Sequence, residues 1–126
     1  MSQDPTVLVV GGDVVQIELI KAALEAVGLR VATTEDGFEA LALLRQEKPS
    51  VLVLDVNLSE PNAVEVLRRV ASEFGSRSPR ILGVIMPGEA ELEDRCRALG
   101  VGLFIQEPFS PERVAQGVEG LIASAS

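Results

Sequence analysis

The chain alternates short runs of apolar, often β-branched residues with longer segments in which apolar positions recur every three or four residues. The first pattern is typical of buried parallel strands and the second of helices that cover them. In residues 14–27, for example, Ile17, Leu24 and Val27 fall on one helical face. The predicted strands are 6–10, 29–33, 51–54, 80–85 and 102–105, and the predicted helices are 14–27, 37–47, 62–74, 89–99 and a fifth from 110.

Capping and turn residues support these helix limits. Gly28 follows the first predicted helix as a C-cap candidate. The second helix turns Phe38 toward the core and ends before Pro49, because the residue before a proline disfavours helix. The fifth begins with Ser110 as a cap and Pro111 at the first helical position, where its missing N–H costs nothing.

Five strand–helix units predict an α/β domain of flavodoxin-like (βα)5 type over residues 1–126. Right-handed crossovers place helices on both faces of a parallel sheet, in a three-layer sandwich of strand order 2-1-3-4-5. A closed barrel of strand–helix units is less consistent with the sequence, because it needs eight units. In the predicted order the switch point lies between strands one and three, where Gly11, Gly12 and Asp55 end their strands. We expect a functional site, if the domain has local chemistry, to lie at this switch point.

Composition excludes several classes of function. The 126 residues carry a net charge of -8, one Cys and no His. These counts argue against a disulfide framework, a zinc site, a histidine-assisted nucleophile and a phosphohistidine carrier. The scattered basic residues argue against nucleic-acid binding, and no apolar run is long enough to span a membrane. We therefore expect a cytoplasmic, reducing setting, with Cys96 as a small core residue.

Several motifs at fixed intervals give the chain a family resemblance. Ile85 follows Asp55 by 30 positions, and Glu107 follows Ile85 by 22. With the ladder of five units, these motifs resemble the receiver domains of response regulators, the CheY-like family, over essentially the whole chain. The matching segments are VLVV at 7–10, TEDGFEAL at 34–41, DVNLSEP at 55–61 and RALGVGLFIQEPF at 97–109.

The resemblance implies phosphoryl transfer in two-component signalling, with Asp55 at the phosphoacceptor position. Such chemistry needs a divalent cation and positive charge, because an anionic nucleophile attacks an anionic group. The family supplies an acidic pair after the first strand, a hydroxyl after the fourth, and a lysine before a cis-proline. This chain has Gly11 and Gly12, Ile85, and Glu107 at those positions.

These departures weaken the implied metal site. Magnesium is usually held by one or two carboxylates together with phosphate oxygens. Asp55, the backbone carbonyl of Asn57 and Asp13 are the remaining ligand candidates, so we expect no cofactor beyond weakly bound Mg²⁺. Asp13 has a more ordinary role as the N-cap of the first helix. Glu107 has two interpretations, a solvated side chain or a replacement metal ligand that faces Asp55.

The resemblance also assigns positions to the switch that follows phosphorylation. Glu107 in place of lysine repels a phosphoryl group by roughly 4 kcal/mol at about 4 Å and an effective dielectric near 20. Ile85 cannot donate a hydrogen bond to that group. Phe104 occupies the switch aromatic position, with packing against Ile85 as its simpler role, and Pro108 is the cis-proline candidate.

We therefore predict an atypical receiver, a pseudo-receiver without enzymatic activity, that acts through a protein partner or as a homodimer. The resemblance places the partner surface on the fourth helix, fifth strand and fifth helix, and residues 89–97 of that surface are strongly charged. One alternative is a receiver that is phosphorylated on Asp55 by an unconventional site. A second is a small-molecule or nucleotide sensor beside Gly11 and Gly12, although GGDVVQ lacks the usual phosphate-loop spacings.

Overall fold

The strands form one five-stranded parallel sheet of order β2-β1-β3-β4-β5, as predicted. A computed structural model of the protein describes residues 6–59 and 61–124. Glu60 of the DVNLSEP motif and both chain ends of the predicted domain lie outside the described residues. The elements are β1 (Thr6–Val10), α1 (Val14–Ala26), β2 (Arg30–Thr34), α2 (Gly37–Glu47), β3 (Val51–Asp55), α3 (Ala63–Phe74), a 3-10 turn (Gly75–Arg77), β4 (Arg80–Ile85), α4 (Ala90–Ala98), β5 (Val101–Gln106) and α5 (Pro111–Ser124).

Two apolar cores fill the space between the sheet and its two helical layers. Along β1, Leu8 and Val10 point into the core beneath α2, α3 and α4, whereas Val7 and Val9 point into the core beneath α1 and α5. Because both faces are covered, the central strands need apolar residues at consecutive positions. This need explains the uninterrupted run of β3, whose first four residues are buried.

Polar caps start the helices where the sequence predicted them, within a residue. The side chain of Asp36 accepts the N–H of Phe38 at the start of α2, and Asn62 accepts the N–H of Glu65 at the start of α3. Gly28, just beyond α1, has a φ of 87°, which is the left-handed conformation that favours glycine after a helix.

Two side chains that were predicted to face the core are exposed. Val27 is 44% exposed because α1 ends one residue before it. Phe38 is 55% exposed, with its ring beneath the guanidinium of Arg69 at 6.0 Å, because the buried face of α2 is formed by Gly37, Ala40, Leu41 and Leu44 instead. Among the described residues the longest helix, α5, has 14 residues, and none has the length and apolar character needed to cross a bilayer.

Candidate functional site

The carboxyl ends of the central strands bring the predicted site residues to one edge of the sheet. Asp55 is the last residue of β3 and pairs with Val84, next to Ile85 at the end of β4. Gly11 follows β1, and a Cβ built on it would lie 3.8 Å from the Cβ of Asp55. A side chain at position 11 would therefore contact Asp55 directly.

Asp55 is half-buried and its carboxylate is held by the loop that follows it. Its Oδ1 accepts the backbone N–H of Asn57 at 2.9 Å. The backbone N–H of Leu58 donates to the carbonyl of Asp55 at 3.3 Å, which tightens the same turn. The β3–α3 loop thus fixes one carboxylate oxygen by a local hydrogen bond.

Asp13 acts as the N-cap of α1. Its Oδ1 accepts the backbone N–H of Val15 at 2.9 Å and that of Gln16 at 3.3 Å. These contacts satisfy two of the free N–H groups that begin a helix. The carboxylate is therefore engaged with the backbone of α1.

Glu107 contacts α1 by its side chain. Gln16 donates from Nε2 to Oε1 of Glu107 at 3.3 Å. The backbone N–H of Glu107 donates to the carbonyl of Ile85 at 2.8 Å, which anchors the segment after β5 on the end of β4. The peptide bond between Glu107 and Pro108 is cis.

The residues at this edge do not fit the magnesium site that the fold resemblance implies. In the part of the chain that the structure describes, no three Asp, Glu or Cys side chains are grouped to hold a metal ion. Gly11 and Gly12 contribute no ligand atoms, and Asp13 caps α1. Asp55 and the carbonyl of Asn57 remain as one carboxylate and one carbonyl, without the acidic pair that the family adds to them.

The side chain of Asn57 forms a bridge that the sequence did not predict. Its Oδ1 accepts the backbone N–H of Met86 at 3.0 Å, and its Nδ2 donates to Oε2 of Glu89 at 3.1 Å. Glu89 is the N-cap residue of α4. Asn57 therefore connects the loop after Asp55 to the segment between β4 and α4, and only its backbone carbonyl was predicted to matter.

Phe104 packs in a slot that depends on Gly83. A Cβ on Gly83 would lie 2.9 Å from Cε1 of Phe104, so that the ring would have to shift, and 3.1 Å from Cγ1 of Val56, which is a tight contact. The outer face of the ring lies under the guanidinium of Arg97, whose Cζ is 4.9 Å from the ring centroid. A glycine inside a strand signals such close approach, so the sequence held a clue to this slot.

Ile85 and Cys96 belong to the core. Ile85 is 1% exposed and Cys96 is fully buried, and both lie in the apolar cluster against which Phe104 packs. Burial raises the pKa of the Cys96 thiol, and the nearby Arg95 offsets this effect only in part. A buried, protonated thiol is a poor nucleophile and a poor metal ligand.

Comparison with known proteins gives consistent matches. Residues 7–119 match the response regulator receiver domain family. The chain is 33% identical over 122 residues to the probable transcriptional regulatory protein TcrX of Mycobacterium tuberculosis, a match that covers 95% of this chain and 50% of that protein. It is 25% identical over 120 residues to the polar-differentiation response regulator DivK of Brucella anthropi, covering 95% of this chain and 98% of DivK.

A solved structure also matches this chain over nearly the full length of both proteins. The crystal structure of a response regulator from Thermotoga maritima superposes with a TM-score of 0.83 and 26% identity, over 96% of this chain and 99% of that one. The chain thus spans half the length of TcrX and nearly the whole of DivK.

Proposed function

Because the chain belongs to the response regulator receiver domain family, we propose that it is an atypical receiver that signals by protein contact, without the metal-dependent phosphorylation of Asp55. Receiver domains are the signalling modules of two-component response regulators and interact with partner proteins.

The composition of the edge around Asp55 carries the proposal. Gly11 and Gly12 offer no carboxylate, and Ile85 presents a buried apolar side chain instead of a hydroxyl. Catalysis of phosphoryl transfer consists almost entirely of positioning and charge neutralisation. The carboxylates that would bind magnesium and the hydroxyl that would contact the phosphoryl group are both missing from these positions. Asp55 therefore lacks the groups that would make it a reactive phosphoacceptor.

The electrostatics at Glu107 point in the same direction. Its carboxylate stands where the family places a cation, and its Oε1 accepts a hydrogen bond from Nε2 of Gln16. A phosphoryl group added to Asp55 would meet like charge rather than a lysine. The contact with α1 also gives Glu107 a structural role, because it joins the segment after β5 to the first helix.

The partner surface that we propose consists of α4, β5 and α5. Asn57 connects the loop beside Asp55 to Glu89 at the start of α4. On the same helix, Arg97 pairs with Glu93 at 2.7 Å and covers the ring of Phe104 in β5. The exposed side chains of α4 carry both signs of charge, which suits a polar partner surface of complementary pattern, either another protein or a second copy of this chain.

Phosphorylation chemistry tests the proposal directly. The protein is incubated with Mg²⁺ and acetyl phosphate, and separately with Mg²⁺ and beryllofluoride, then measured by intact mass and by amide shifts at Asp55 and Phe104. We expect no phosphoryl adduct and no shift beyond those of an Asp55→Asn control. An adduct or shift that disappears in Asp55→Asn would instead establish a receiver that is phosphorylated by an unconventional site.

A further inference from the structure

A cavity of about 470 Å³ lies at the opposite end of the sheet from Asp55. It opens where α2 and α3 end and where the chain enters β3 and β4, so its walls come from Lys48 and Pro49 on one side and from Arg77 and Pro79 on the other. Its size is within the range of small-molecule sites, roughly 300–1,000 Å³. None of the residues discussed at the Asp55 edge lines it.

The walls of the cavity combine apolar and charged side chains. Leu44 and Pro49 are buried, and Phe74 and Pro79 are half-buried with part of each side chain facing the opening. Two proline rings and one aromatic ring give flat surfaces that lose little conformational freedom when a ligand stacks on them. Such walls suit a planar ring.

The rim of the cavity is positive in a chain whose net charge is -8. Arg45 and Glu73 form a two-pronged ion pair along one wall, with Nη2 and Oε1 2.7 Å apart. Lys48 and Arg77 also line the cavity, and within the described residues neither side chain makes an ion pair or a hydrogen bond. Two cations without a partner in the described residues therefore flank a cavity that also has apolar walls, an arrangement that attracts anions.

The backbone at Lys48 adopts an unfavourable conformation beside the cavity. Lys48 has a φ of 47° and is the one residue other than glycine in the left-handed region among the described residues. It caps the end of α2, a position that glycine or asparagine occupies with less strain. Strain of this kind is often retained where a side chain has a function, and here that side chain lines the cavity.

We propose that this cavity binds a mononucleotide-sized anion. Its phosphate lies between Lys48 and Arg77, and its ring stacks against Phe74 and the two prolines of the wall. The Arg45–Glu73 pair forms the side of the pocket and leaves both free cations available. This site is separate from the Asp55 edge and does not depend on how Asp55 behaves.

Titration of the isotopically labelled full chain with AMP tests the proposal, with adenosine and inorganic phosphate as partial ligands. We expect amide shifts from AMP within residues 44–49 and 73–79. Adenosine alone and phosphate alone should each bind at least about tenfold more weakly, because each makes only half of the contacts. Absence of AMP shifts in these segments, or equal binding of phosphate alone, would overturn the proposal.

Two substitutions remove the cations without disturbing the fold. Lys48→Asn keeps a residue that accepts the left-handed backbone, and Arg77→Gln changes a side chain that makes no ion pair within the described part of the chain. Each should weaken AMP binding at least about tenfold while the melting temperature does not fall. Arg113→Gln, on α5, is the matched control and should leave the affinity unchanged. Equal weakening by Arg113→Gln would show a general charge effect and contradict the proposal.

A bulky replacement of Gly12 separates this cavity from the crevice beside Gly11 and Gly12. A Cβ at Gly12 would have only Cδ2 of Leu58 nearby, at 3.9 Å, so Gly12→Leu fills that crevice with little strain on the described neighbours. AMP binding that survives Gly12→Leu supports the cavity, whereas binding lost in that variant and kept in Lys48→Asn places the ligand at the other edge.

Discussion

The amide oxygen of Asn57 accepts the backbone N–H of Met86 at 3.0 Å, so the loop after Asp55 is tied directly to the segment between β4 and α4. We expect Asn57→Ala to speed hydrogen exchange at the Met86 amide and to lower the free energy of unfolding by about 1 kcal/mol, since two side-chain hydrogen bonds are lost. Exchange measured by NMR and urea unfolding give both quantities.

Asn57→Asp serves as the matched control. It keeps an oxygen for Met86 but loses the N–H that contacts Glu89, so we expect Met86 to remain protected while the start of α4 exchanges faster. Unchanged Met86 exchange in Asn57→Ala would show that the bridge does not restrain this loop in solution.

Gly83→Ala is expected to destabilise the domain by about 1–3 kcal/mol, because the new methyl group overlaps the ring of Phe104 in a filled core. Gly102→Ala in β5 is the control, since its Cβ meets nothing nearer than 3.8 Å. Urea unfolding of both variants, and of Gly83→Ala combined with Phe104→Leu, measures the effect. Equal losses in the two alanine variants would contradict the proposed contact.

Restoring the missing groups should restore metal binding. We expect the combined variant Gly11→Asp, Gly12→Asp, Ile85→Thr and Glu107→Lys to show a larger Mg²⁺-dependent rise in melting temperature than the natural chain. The new side chain at position 11 meets no atom nearer than 3.4 Å, so the fold has room for it. Acetyl phosphate should then phosphorylate Asp55 of the combined variant, and the additional substitution Asp55→Asn should abolish this phosphorylation.

The ion pair between Arg45 and Glu73 should contribute stability that depends on pH. Its hydrogen bond lowers the pKa of Glu73 below the ordinary value of 4.5 and raises that of Arg45. A lowered carboxyl pKa gives stability that is present above the unfolded-state pKa and is lost as the pH falls through the folded-state value.

Urea unfolding from neutral to acid pH compares the stability of the natural chain with that of Glu73→Gln. The two should differ at neutral pH and converge in acid, and salt should reduce the difference because the pair is exposed. Glu119→Gln on α5 is the control, since Glu119 forms no ion pair in the described part of the chain. A difference that persists in acid would exclude this pair as its cause.

Cys96 should react with iodoacetamide only when the domain opens. Its side chain is fully buried and its raised pKa keeps the thiol protonated near neutral pH, so both access and thiolate are lacking. Mass spectrometry should show labelling in urea within minutes and slow labelling in buffer. As the pH rises beyond the ordinary thiol range, the buried thiol should also begin to lower stability. Rapid labelling in buffer would contradict the structure.

Some features of the fold were accessible from sequence because they depend on local pattern. The five strands and five helices follow from apolar periodicity, and Asp13 and Gly28 flank α1 where capping rules predicted them. Val27 and Phe38 were placed wrongly. Periodicity gave both side chains an inward side, but Val27 lies just beyond the end of α1 and Phe38 lies outside the buried face of α2.

The side-chain contacts of the site required the tertiary structure. Asn57, Met86 and Glu89 come from two loops separated by a strand and a helix, and no sequence spacing predicts their hydrogen bonds. Glu107 had two interpretations from sequence, and only the position of Gln16 on α1 shows what its carboxylate contacts.

By itself the sequence determined the parallel sheet, its strand order and the identity of the residues at the edge that holds Asp55, because buried patterns and strand ends are properties of neighbouring positions. Only the tertiary structure decided what those residues contact, and it revealed the cavity beside Lys48 and identified Phe104 as the ring that packs against Gly83. Contacts and cavities depend on how distant segments approach one another, which side-chain packing sets in three dimensions.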